Sequence, residues 1–124
     1  MAVDPTGAQI SALAKSTHAG PVQMINLLQF APDGGRAGYG RYAEAVQPHL
    51  ERVGARVVAM SEVELLVIGD DERPWWDAIL TVEYPSIAAF LQMVGDPGYQ
   101  AITHLRTTAL TRAELVATAP SALG

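Results

Sequence analysis

Three polar or ionisable groups stand out in the sequence as candidates to carry chemistry. Asn26 interrupts the apolar run from Val22 to Phe30, and an amide inside such a strand needs a hydrogen-bond partner. Facing a cavity it would donate to a substrate carbonyl or enolate, the work of an oxyanion donor. The plainer reading is a bond to a neighbouring side chain or a buried water. Asp77 shares one strand face with Ile79, Thr81 and Glu83. A carboxylate in an apolar cavity has its pKa raised, which makes Asp77 or Glu83 a general acid or base for a small carbon acid. Against that stands an ion pair with Arg112 or Arg106, or a solvated rim. His104 follows Tyr99 and precedes Arg106 on a stretch placed to line a cavity mouth, and histidine is the usual proton shuttle near neutral pH.

Asn26, Asp77 and His104 are therefore the expected catalytic groups, with Tyr42, Trp76, Thr81, Glu83 and Arg106 as expected substrate contacts. Tyr39 and Tyr42 open a helix, where a phenol reaches a ligand or simply anchors the core with a wet tip. Trp75 and Trp76 point to opposite faces of a strand, so one packs inward and the other lies over an opening or at a subunit contact. His18 and His49 read as structural or exposed. The segment Gly34 to Gly40 lies between a strand and a helix but lacks G-K-[ST] and the G-x-G-x-x-G spacing, so it reads as a flexible loop. No H-E-x-x-H pair or carboxylate spacing marks a metal site, nothing singles out His104 as a haem ligand, and no cofactor is expected.

The elements that must position these groups follow from periodicity. Asp4-Pro5 and the spacing of Ile10, Leu13 and Ala14 predict an N-terminal helix ending near Gly20-Pro21. Val22 to Phe30 predicts a buried strand. Tyr42, Ala45, Val46, Leu50 and Val53 predict a helix over 39–53, bent at Pro48 and stopped at Gly54. Arg56 to Ile68 predicts one long strand or two short ones, and Trp75 to Glu83 a further strand. Ser86 caps a helix over 87–94, Gly95-Asp96-Pro97-Gly98 interrupts it, a short helix covers 99–105, and Ala109 to Ala117 is the last strand.

Strand–helix–strand twice over is the split βαβ arrangement, a ferredoxin-like α+β domain with a four-stranded antiparallel sheet and its helices on one face. Residues 1–20 form a helical extension, 21–117 the domain and 118–124 a flexible tail. Because Ile25 and Leu27 are purely aliphatic, they are assigned to the helix layer, which leaves Met24, Asn26 and Leu28 on the free face. On the other side of the sheet, Ala78, Leu80 and Val82 suit the helices. A free face this apolar calls for a second copy, giving a homodimeric α/β barrel.

Composition narrows the function classes. The 124 residues suffice for one core, 49% hydrophobic and 17% charged. A formal charge of -5 opposes nucleic acid and anionic membrane surfaces. With no cysteine, disulfides, thiolate metal sites and a cysteine nucleophile are excluded. The absence of a secretory signal pattern or a membrane-length apolar run suggests a cytoplasmic location.

The motif MINLLQF, Tyr39 and Tyr42 at a helix start, Pro48, the exit Gly54-Ala55-Arg56 and the stretch YPSIAAFLQMVGDPGYQAITHLR together resemble the family called domain of unknown function 1330, in the dimeric α/β-barrel superfamily. The resemblance runs from about Pro21 to Val116. It implies the ferredoxin-like fold and a homodimer. Relatives in that superfamily include isomerases, cofactor-free monooxygenases, polyketide cyclases and haem enzymes, so the fold alone selects no activity. The expected function is a small cofactor-independent enzyme of isomerase, cyclase or oxygenase type, acting on a small carbonyl or aromatic metabolite in the barrel cavity. The alternative is a non-catalytic, ligand-binding or stress-related homodimer; a third possibility is an interaction module that uses the N-terminal helix.

Overall fold

The computed structural model describes residues 2–70 and 76–123. Its order is α1 (Gly7–Ala14), β1 (Val22–Phe30), α2 (Gly35–Arg52), β2 (Arg56–Glu62), β3 (Ala78–Tyr84), α3 (Ile87–Gly95), α4 (Pro97–Gln100), α5 (Thr103–Ala109) and β4 (Leu110–Thr118). The strands form one sheet in the order β2-β3-β1-β4 with every neighbour antiparallel. This is the ferredoxin-like arrangement expected from the sequence.

Local chemistry sets most of the boundaries. Thr6, not Asp4, caps α1, and its side chain and that of Gln9 each accept the other's backbone N–H. Ser86 Oγ accepts from Ala89 N at the start of α3. Asp96 both ends α3 and caps α4, with its carboxylate accepting from Tyr99 N. The interruption foreseen at Gly95 to Gly98 thus splits the helical stretch into α3, α4 and α5.

The glycine-rich segment is not a loop. Residues 35–40 form the first turns of α2, entered through Gly34 at φ 77°. Packing overrides the weak helix propensity here: a Cβ on Gly35 would stand 2.7 Å from the Ala109 carbonyl oxygen, and one on Gly38 would stand 3.3 Å from the Ala109 Cβ. The two glycines let α2 lie directly on the end of α5. The helix also continues through Pro48 to Arg52. Beyond β2, residues 63–70 leave the sheet, so Arg56 to Ile68 yields one strand and an irregular exposed segment. The expected start of β3 at Trp75 lies outside the described residues.

The face assignment of β1 is inverted relative to expectation. Val22, Met24 and Leu28 are the buried members, and they join Tyr39, Tyr42, Val46 and Leu50 of α2 in the core. Asn26 therefore faces the helices, while Ile25 and Leu27 lie on the open face. The antiparallel register explains why: Met24, Asn26 and Leu28 stand opposite Val82, Leu80 and Ala78, the face of β3 that was correctly assigned to the helix layer. Side chains on directly paired residues share a face.

The N-terminal extension folds back onto the domain. α1 packs against α3, Ala113 N donates to Ala2 O, and Val3 and Leu13 lie against the core.

Candidate functional site

Between the helix-side face of the sheet and the helices lies a cavity of about 1100 Å³. Its floor is Met24, Asn26, Leu80 and Val82, and its roof Tyr39, Tyr42 and Val46 of α2. Phe90 and Met93 of α3, Tyr99 of α4, Arg106 of α5 and Val3, Ile10 and Leu13 of the N-terminal segment complete it. A mostly apolar concavity with a few convergent polar groups is the usual form of a small-molecule site.

The polar groups converge on one region. The hydroxyls of Tyr42 and Tyr99 are 2.9 Å apart and share one hydrogen bond, which leaves the pair a proton to donate elsewhere. The Tyr39 ring packs on Tyr42 with centroids 5.5 Å apart. Burial pushes the Tyr39 phenol up to about 12, against the nearby Arg106 charge that pulls it down. Burial pushes Tyr42 and Tyr84 upward as well, so these phenols remain protonated donors through the neutral range. Asn26, only 9% exposed, donates its amide to the Leu80 carbonyl 3.2 Å away. Arg106 Nη1 donates to Val3 O at 2.6 Å and lies 3.6 Å from Asp4 Oδ1.

Of the groups expected to carry chemistry, Asn26, Tyr42 and Arg106 line this cavity. The others are placed elsewhere. Asp77 lies just before β3, and its Oδ2 accepts from Phe30 N at 2.8 Å while its own N–H donates to Leu28 O, a clasp joining β1 to the start of β3. Glu83 lies on the open face, 3.3 Å from Arg56 Nη2 and within reach of the Gln23 amide. Its ion pair is with Arg56, not with Arg112 or Arg106. Thr81 stands opposite Ile25 on that same open face. His104 is exposed on α5 and lies 3.1 Å from Ala101 O through Nδ1. Trp76 is partly buried outside the cavity lining, and its indole N–H has no partner among the described residues. The convergence of polar groups on the open face, expected from strand parity, therefore does not coincide with the cavity.

Tyr39 and Tyr99 are polar cavity residues outside the set of substrate contacts expected from the sequence. The signal for Tyr39 was present, three residues before Tyr42 on one helical face, whereas Tyr99 lies on α4 and Arg106 on α5, so no helical spacing links them. The rim is polar, with Arg36 paired to Glu62 and stacked over Phe30 with its Cζ 4.8 Å from the ring centre. Among the described residues no group of three or more histidine, aspartate and glutamate side chains is placed to hold a metal, and no helix is long and apolar enough to cross a membrane.

Comparison with known proteins gives a consistent family. The model of the family described as domain of unknown function 1330 matches residues 34–119. A protein of unknown function from Rhodopseudomonas palustris is 32% identical over 96% of each chain, with a TM-score of 0.87. A dabb family protein with a ferredoxin-like fold from Mesorhizobium loti is 12% identical, covers 82% of this chain and 98% of its own, and gives a TM-score of 0.55. A dimeric protein of unknown function and ferredoxin-like fold from Bacteroides fragilis is 13% identical, with 78% and 93% coverage and the same TM-score of 0.55. No curated protein matches the chain.

Proposed function

The chain belongs to the domain of unknown function 1330 family, and we propose that it is a small-molecule-binding homodimer whose cavity holds a mostly apolar compound by one oxygen-bearing head group. The observation that carries this reading is the donor-rich patch of Tyr39, Tyr42, Tyr99, Asn26 and Arg106 on an otherwise apolar cavity of about 1100 Å³. Phenol hydroxyls, an amide and a guanidinium all offer protons, so the complementary head group is an acceptor.

Turnover of isomerase, cyclase or oxygenase type would also require a group to take a proton. Asp77, Glu83 and His104 lie outside the cavity, and the only carboxylates among the described lining residues are Asp4, Glu62 and Glu114. Glu62 is already paired with Arg36. Binding and polarisation of a carbonyl-type oxygen is therefore the favoured reading, and turnover would fall to the substrate itself or to the Asp4 side of the mouth.

The homodimer rests on the open sheet face. Ile25, Leu27 and Ile79 form an apolar patch there, with Ile79 36% exposed, and Leu65 to Ile68 add further exposed apolar surface beside β2. Stacking two such sheets buries this surface and leaves each cavity on the outer, helix side of its own subunit.

The test is isothermal titration of the purified protein with aryl and alkyl methyl ketones, for wild type, Val46→Trp and Tyr42→Phe. Filling the cavity at Val46 abolishes binding, and removing the Tyr42 hydroxyl weakens it about tenfold, the value of a buried hydrogen bond. Folded Val46→Trp protein that binds as tightly as wild type would place the ligand elsewhere and end this reading.

A further inference from the structure

We propose that the head group is a carboxylate, that Arg106 is its anchor, and that Asp4 occupies the anchor as a resident stand-in which the ligand displaces. This rests on the cavity reading above and narrows its ligand class to apolar monocarboxylates.

Arg106 is the only arginine or lysine of α5, and its side chain is 12% exposed at the cavity wall. A guanidinium in such a setting needs hydrogen-bond acceptors and a countercharge. The structure gives it little of either. One of its five donors meets the Val3 carbonyl, and the nearest carboxylate, Asp4, stands 3.6 Å away, beyond hydrogen-bond distance, on a side chain 56% exposed. A further donor meets the Tyr39 hydroxyl, a neutral group that supplies no countercharge. A guanidinium at the wall of a mostly apolar cavity can offer a carboxylate two parallel N–H groups, the bidentate pairing for which arginine is suited. Tyr39, held neutral beside the guanidinium, supplies a further donor to the same anion.

Asp4 is positioned as a replaceable partner. Its carboxylate accepts at 3.1 Å from Oγ1 of Thr107, the residue next to Arg106 along α5, so it remains anchored when the arginine turns to a ligand. The same N-terminal residues cover the cavity, because Ala2 O is tied to Ala113 N and Val3, Ile10 and Leu13 line the wall. A carboxylate entering beneath them competes with Asp4 for Arg106, and its apolar body packs under α1.

The experiment titrates the full chain with naphthoate, phenylbutyrate and decanoate, and with the methyl ketones of the same three skeletons. Wild type binds the acids about tenfold more tightly than the ketones, a factor set by one charge-assisted pair. Arg106→Gln removes that preference, weakening acid binding about tenfold more than ketone binding, so that the two series converge. Asp4→Asn, which keeps an acceptor for Thr107 and removes only the competing charge, tightens acid binding about threefold to fivefold and leaves the ketones unchanged. Because Asp4 is largely exposed, this variant folds even if loss of the arginine does not permit folding. Equal affinity of acids and ketones, or acid binding weakened by Asp4→Asn, overturns the carboxylate anchor while the cavity reading stands. Failure of both series to bind overturns the two together.

Discussion

The buried phenols make the fold sensitive to alkali in a way that can be calculated. Tyr39, Tyr42 and Tyr84 are 4%, 7% and 4% exposed, and burial raises all three above the ordinary phenol range, Tyr39 to about 12. In the unfolded chain each phenol releases its proton near pH 10, whereas the folded chain retains it. Above about pH 10 the unfolded state therefore binds fewer protons, and stability falls as pH rises. Below that pH these groups contribute no slope. For Tyr39 the two-unit gap corresponds to about 2.7 kcal/mol lost between about pH 10 and 12. Three such phenols give a limiting slope of about 4 kcal/mol per pH unit, which exhausts the roughly 5 to 15 kcal/mol of an ordinary domain near pH 12. Urea melts at intervals from about pH 9 to 11.5, with tyrosinate absorbance and far-ultraviolet dichroism recorded together, measure this slope. Tyr39→Phe keeps the ring contacts with Phe30 and Tyr42 and should reduce the slope by about one third. A flat stability profile above pH 10, or more than one tyrosinate per chain formed while the dichroism is still native, would refute the reasoning. In the neutral range the same phenols stay protonated, so titration of Tyr39 and Tyr42 should leave no step in ligand affinity below about pH 9.

Two further outcomes test the architecture. Gly35→Ala forces a Cβ to within 2.7 Å of the Ala109 carbonyl oxygen, a backbone atom that cannot swing aside, and should cost about 1 to 3 kcal/mol by urea denaturation. An unchanged midpoint would show that α2 does not need its close approach to the end of α5. Leu27→Lys combined with Ile79→Lys places two charges on the apolar open face and should convert a dimer to a monomer with unaltered dichroism, read by sedimentation equilibrium. If the wild-type protein sediments as a monomer, the stacking of open faces fails.

The element order was legible because each boundary carries a local signal: Ser86 before Ile87, Asp96-Pro97 between two helical stretches, and Gly54 after α2. The start of α2 was not legible, because residues 35–40 read locally as loop and become helix only through contact with Ala109, far away in sequence. The cavity was harder still, since its location depends on one parity decision. The central residues of β1 show an aliphatic pair, Ile25 and Leu27, against a set containing an amide, and on that short window Asn26 belongs outside. Taken over the whole strand, the Ile25 and Leu27 parity also carries Gln23 and Gln29, whereas Asn26 shares its parity with Val22, Met24, Leu28 and Phe30. The longer count assigns Asn26 to the core side, as does its register opposite Leu80. With Asn26 facing inward, Tyr42 and Arg106 fall on the same side, and Asp77, Thr81 and Glu83 are relegated to strand clasp and open face. A single amide inside a strand thus marks the side on which the sheet was left incompletely packed, because a buried polar group is tolerated where a hydrogen-bond partner and space for a ligand exist together.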